Sequence, residues 1–155
     1  MNDNAIQSTG GGDFELVGVP MDLAERVGAV RLMRLALEGV QSVEVPIGYF
    51  KASPDQPMFG IRALLTTWTY ALARGVVDVE RIEAGLESQP DLRYLMSDRS
   101  VDAYTLGAFF ESNQGLVAAA LSRLMVAATG YAEAQLASAV AVRIRRAGAG
   151  LSLAA

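Results

Sequence analysis

Residues 57–75, PMFGIRALLTTWTYALARG, constrain this chain more than any other stretch. Pro57 suits a first helical turn, where its missing amide has no partner to lose, and Gly75 is a natural stop. Asp55 stands where a cap is wanted. Between these signals Ile61, Leu64, Leu65, Trp68 and Leu72 recur at the spacing of one helical face. Apart from Arg62 and Arg74 the segment is uncharged, so it can be buried all round. The pattern predicts a helix at the centre of a domain, with Trp68 and Tyr70 as the largest surfaces to bury.

Weaker helical segments surround this one. PMDLAERVGAVRLMRLALEGV carries Asp22 as a cap with Glu25 three residues on. Val27, Val30, Leu32, Leu35 and Leu37 form its apolar face, Arg26, Arg31, Arg34 and Glu38 lie outside it, and Gly39 is a plausible stop. SVEVPIGYF is extended in character but interrupted by Pro46 and Gly48, which fits a linker or edge segment, and KASPDQP reads as a loop. Asp78 caps VERIEAGLES, with Val79, Ile82 and Leu86 inward and Glu80, Glu83 and Glu87 outward. Pro90 starts PDLRYLM, Asp102 caps AYTLGAFFES, and QGLVAAALSRLMVAA runs to a break at Gly130. The expected fold is mostly α: a compact bundle of five to six short helices. It contains a helix-turn-helix-like element over residues 78–112 and at most one short extended hairpin or edge strand.

A length of 155 residues and a hydrophobic content of 52% suit one domain with a real core. Residues 1–13, with Gly10, Gly11 and Gly12 in a row, read as a flexible leader, residues 14–130 as the helical domain, and residues 131–155 as a C-terminal helix with a frayed tail. Mean hydropathy is high, at +0.27. The most apolar stretch, residues 116–144, is nevertheless interrupted by Arg123 and Glu133, and no window reaches the roughly 20 apolar residues of a membrane span. The first fifteen residues lack the basic start and apolar run of a signal peptide, so a cytoplasmic location and no membrane partner are expected.

The chain contains neither histidine nor cysteine. That removes the commonest general base, the commonest metal ligand and all thiolate chemistry. The glycine run leads into acidic residues and the sole lysine is Lys51, so no phosphate-cradling loop can be built. Glu80, Glu83 and Glu87 share one helix face and read as a solvated acidic surface. No catalytic residue, metal site or cofactor is expected. Net charge is −4, unevenly spread: residues 78–112 hold 3 basic and 8 acidic groups, residues 113–155 hold 4 and 1. Arg143, Arg145 and Arg146 form a small basic cluster in the expected tail, read first as solubilising and second as a phosphate contact.

From about Pro20 to Leu124 the chain resembles the InsH-type N-terminal domain of DDE-type insertion-sequence transposases. Three pieces carry the resemblance. VPMDLAERVGAVRLMRLALEGV is similar to the family opening, with Asp22 and Arg26 at the family's Asp and Arg positions and Leu23 where a His is usual. The stretch from SPDQPMFG to LGAFF resembles the family core, including Arg81 and Ile82, the LRYLM segment, and Asp102, Thr105, Leu106 and Phe109 as the Asp-x-x-Thr-Leu-x-x-Phe element. NQGLVAAALSRLMVAA is similar to the closing helix. After its Phe the family carries arginines and a His, where this chain has Glu111, Ser112, Asn113 and Gln114.

The resemblance implies a non-catalytic DNA-binding and dimerisation module, a truncated transposase or a regulator of transposition, without the ribonuclease-H-like catalytic domain. After Ala128 the sequence leaves the family pattern, as translation after a frameshift would produce. Implied partners are DNA at transposon ends and a second copy or full-length transposase. Candidate DNA contacts are Arg62, Arg74, Arg81, Arg93, Arg99, Thr105 and Arg123. The alternative is a protein–protein interaction adaptor without DNA binding, its partner surface marked by Leu116, Leu121 and Leu124. An enzyme using carboxylate-held metal is a third reading.

Overall fold

In the computed structural model, which describes residues 6–9, 13–16 and 19–154, the chain begins with β1 (Ile6–Thr9), β2 (Asp13–Leu16), α1 (Ala24–Val27) and α2 (Ala29–Gln41). β3 (Tyr49–Phe50), β4 (Phe59–Gly60) and α3 (Ile61–Ala73) follow. The rest is helical: α4 (Val79–Ser88), α5 (Pro90–Leu95), α6 (Ala103–Ser112), α7 (Gln114–Thr129) and α8 (Glu133–Ala154).

Mostly α is what the sequence predicts, but eight helices stand among the described residues where five to six are expected. One extra comes from Gly28. Its φ of 86° breaks the first amphipathic segment into α1 and α2, and this shift in phase leaves Val30 exposed rather than in the core. Gly39 does not stop α2. It lies inside the helix, where a Cβ would stand 3.0 Å from the Ala120 carbonyl oxygen of α7, so a bare backbone lets the two helices cross closely. The expected frayed tail is also corrected. α8 is one helix of 22 residues, and Leu136, Val140, Ala147 and Leu151 along it are buried.

Among the described residues two antiparallel strand pairs stand where at most one is expected. Ile6–Thr9, in the stretch read as leader, pairs with Asp13–Leu16, which runs past its end, and residues 1–5 and 10–12 of that leader lie outside the described residues. In the second pair Tyr49 faces Gly60 and Phe50 faces Phe59. That pairing delays α3 to Ile61, four residues beyond Pro57, and leaves Asp55 in the loop with no capping role.

α3 packs against α2 and α7, and α7 against α8, enclosing a core that contains Trp68, Tyr70, Leu106, Phe109 and Phe110. Trp68 lies 4.7 Å from Phe110 between ring centroids, and its indole N–H donates to the Leu106 carbonyl at 3.0 Å. Phe50 meets Phe109 edge-on at 5.3 Å. The buried threonines Thr66, Thr67 and Thr69 donate to the carbonyls of Arg62, Ala63 and Leu65 one turn back, which satisfies each hydroxyl within α3 itself. Among the described residues no helix is long and apolar enough to cross a membrane.

Candidate nucleic-acid interface

Of the seven candidate DNA contacts, the structure leaves Arg62, Arg81, Arg93, Arg99 and Arg123 exposed and holds Arg74 and Thr105 back. Thr105 is 1% exposed. Its amide donates to the Asp102 carboxylate at 2.8 Å, the cap of α6, and its hydroxyl faces Gln56. It is a helix-start residue and not a surface contact.

Arg74 is the C-cap residue of α3. Its Nε and Nη2 grip both oxygens of Asp22 at 2.9 and 3.2 Å, and Nη1 reaches the Tyr70 hydroxyl at 3.1 Å and Asp91 at 3.5 Å. The bond to Asp22 is the main reason its pKa is raised. Tyr70, whose hydroxyl donates to Asp91, has its pKa pushed up to about 12, first by burial and then by that carboxylate. Arg74 is therefore spent on tying the N-terminal segment and α5 to α3. Asp22, expected to cap the first helix, stands one residue before the N-cap position, Leu23, which has no side-chain cap, and its carboxylate accepts from the Ala24 amide at 2.9 Å.

A second arginine serves the same end of α3. Arg143, assigned by the sequence to a solubilising cluster, is 2% exposed. It donates to four carbonyls: Leu72 at 3.0 Å, Ala139 at 3.1 Å, Pro20 at 3.2 Å and Met21 at 2.9 Å. No carboxylate is among these partners; the negative end of the α3 dipole lies at Leu72 and favours a cation there. Burial, then the charge of Arg146, draw its pKa down to about 10, which leaves it cationic at neutral pH.

The helix-turn-helix-like element is built as expected at its caps. Asp78 accepts from the Glu80 amide, Pro90 opens α5, and α4 packs on both α5 and α6. Its surface differs from that of a DNA reader. α6 and its cap expose Asp102, Tyr104, Glu111 and Ser112, its Leu106, Phe109 and Phe110 are consumed by the core, and it contains no lysine or arginine. Glu83 and Glu87 of α4 line, with Asp102, Gln56 and Phe59, a cavity of about 200 Å³. Arg93 is paired with Asp98 at 3.2 Å. Arg81 stands at a separate small cavity shared with Asp22, Tyr70 and Arg74.

At the other end of α3 the surface is basic and apolar together. Arg99 donates from Nη1 to the Met58 carbonyl at 2.9 Å, and its guanidinium lies 4.2 Å above the Phe59 ring. Arg62 occupies the first turn of α3, whose first amide, Ile61, donates to the Gly48 carbonyl at 3.1 Å. The sequence assigns Tyr49 and Lys51 to a linker and loop and Met58 to the start of the central helix, and so passes over all three as surface groups. The available signal was the pair of aromatics, Phe50 and Phe59, bracketing a turn-rich span.

Arg123 lies on α7 in a groove with Leu35, Glu38 and Glu133. A neighbouring groove of about 690 Å³ runs between α7 and α8, lined by Ala118, Ala119, Ser122, Ala137, Ala141 and Ile144 among others. Of the three leucines expected to mark a partner surface, Leu121 and Leu124 are fully buried and only Leu116 is partly open. Among the described residues no group of three or more Asp or Glu stands close enough together to hold a metal ion. Comparison of the chain with family models, with curated protein sequences and with solved structures finds no match.

Proposed function

We propose that this chain is a non-catalytic DNA-binding and dimerisation module of the kind that precedes the catalytic domain in DDE-type insertion-sequence transposases. Its support in the sequence is the ordered resemblance from Pro20 to Leu124. The structural observation that carries it is the pair of exposed arginines near the amino end of α3, Arg62 and Arg99, beside exposed Lys51 on a helical core. Guanidinium groups on a rigid frame suit phosphate contacts, which position a protein on a duplex without reading bases. The test is binding to duplexes bearing insertion-sequence terminal repeats, and to shuffled duplexes, across about 50 to 200 mM salt. Affinity that falls steeply with salt and favours the repeats supports the reading. No binding, or binding indifferent to salt, overturns it.

A second reading, a protein–protein adaptor without DNA binding, is favoured by the α7–α8 groove of about 690 Å³ with its small apolar lining, and by the net charge of −4. A stable dimer in solution that ignores DNA selects it over the first.

A further inference from the structure

The ribbon formed by β3 and β4 brings exposed apolar side chains and cations together. Ile47 is fully exposed, and Tyr49 and Met58 are 72% and 53% exposed. Pleating explains this. Phe50 and Phe59 oppose each other and turn into the core, so the residues beside them, Tyr49 and Met58, turn out. Three cations surround these apolar groups. Lys51 directly follows Phe50, just past the end of β3; Arg99 is bonded to the Met58 carbonyl and stacked on Phe59; Arg62 rises from the first turn of α3. The amino end of α3 has no side-chain cap, and its dipole adds positive potential to the same place.

Resting on the DNA-binding reading above, we infer that duplex DNA seats on this ribbon and not on the α4–α6 face. Lys51, Arg62 and Arg99 take phosphates, while Tyr49 and Met58 lie against the groove between them. A two-stranded ribbon fits the major groove. Arg99 is held in advance by its carbonyl and its ring, so little freedom is lost when a phosphate arrives. The carboxylates of Glu83, Glu87 and Asp102 line the cavity on the flank of Phe59, and Asp55 lies in the connecting loop. They repel phosphate from that flank and turn the duplex towards Tyr49 and Met58.

The experiment is fluorescence anisotropy of a short labelled duplex against the full chain, the Lys51→Ala/Arg62→Ala variant and the Arg81→Ala/Arg93→Ala variant, each over a salt series. All four side chains are exposed, so thermal melting should report intact folds. The ribbon variant is expected to lose about tenfold in affinity and to flatten the slope of log affinity on log salt by about two, one for each phosphate contact removed. The Arg81/Arg93 variant should stay within about twofold of the parent. If the parent binds but the ribbon variant keeps both affinity and slope, the inference falls while the DNA-binding reading stands. If the parent binds no duplex, both fall. If Lys51 and Arg62 govern binding to phosphatidylserine vesicles and not to DNA, the surface is a lipid one and the inference is overturned.

Discussion

The two ends of α3 lie at opposite ends of one rigid rod and treat their cations in opposite ways. At the carboxyl end Arg74 and Arg143 are pulled inward, the first gripping Asp22 and Asp91, the second donating to four carbonyls from three parts of the chain. At the amino end Lys51, Arg62 and Arg99 stay at the surface around exposed Tyr49 and Met58. The difference teaches that arginine content alone does not reveal a binding surface. A guanidinium beside a helix carboxyl terminus finds carbonyls to bind and becomes part of the fold. One beside a helix amino terminus finds positive potential instead and stays available for an anion.

The largest effect that could break this contrast is at Arg143. Arg143→Met keeps most of the side-chain volume but removes the donors that tie the Pro20, Met21 and Leu72 carbonyls together. It should cost about 3 kcal/mol, read as a lowered urea midpoint at unchanged slope. A change near zero would mean that Arg143 is not a structural tie.

Gly75→Ala comes next. Gly75 has φ of 77°, and a Cβ there would stand 3.0 Å from the Met21 carbonyl oxygen, so strain and contact together should cost about 2 kcal/mol in the same measurement. Tyr70→Phe sharpens the picture through pH. Because the Tyr70 pKa is raised from 10.0 to about 12, its protonated form favours the folded state at every pH below 10, and that contribution is lost as pH climbs from 10 to 12. The variant should lose about 1 kcal/mol at neutral pH, show a shallower decline of stability over that interval, and lack a tyrosine ultraviolet titration step near pH 12.

The smallest effect on stability is at the open end. At Gly60 nothing lies within 4 Å of a Cβ, so Gly60→Asp supplies a missing cap and should gain a few tenths of a kcal/mol. It also places a carboxylate among the three cations, so duplex affinity should fall while stability rises. A parallel rise in both would break the contrast.

Much of the frame was legible because its signals are local. Asp78 and Asp102 cap where they stand, Pro90 opens a helix, and Gly75 and Gly130 end helices at φ of 77° and 78°. The apolar spacing of α3 and α4 places Trp68 and Ile82 correctly in the core, whereas Leu121, expected on a partner surface, is buried. What was not legible depends on distant residues. The carbonyls that bury Arg143 come from positions as far as 123 residues away, so the arginine reads as a surface charge until the chain is folded. Gly28 and Gly39 look alike as breakers, yet one splits a helix and the other lets two helices touch. Phe59 and Gly60 join a strand instead of a helix only because Tyr49 and Phe50 stand beside them. The candidate site divides the same way. Arg62 and Arg99 were read from the sequence, whereas Tyr49, Lys51 and Met58 needed the ribbon register, and Arg74 and Thr105 left the candidate set once their partners were known.

Amide hydrogen exchange of the full chain with and without duplex DNA tests the division between the two ends most directly. Protection gained on binding should fall on residues 47–62 and around Arg99, with α4 and α6 unchanged. Protection concentrated on α4 and α6, with the ribbon exchanging as freely as before, would contradict it.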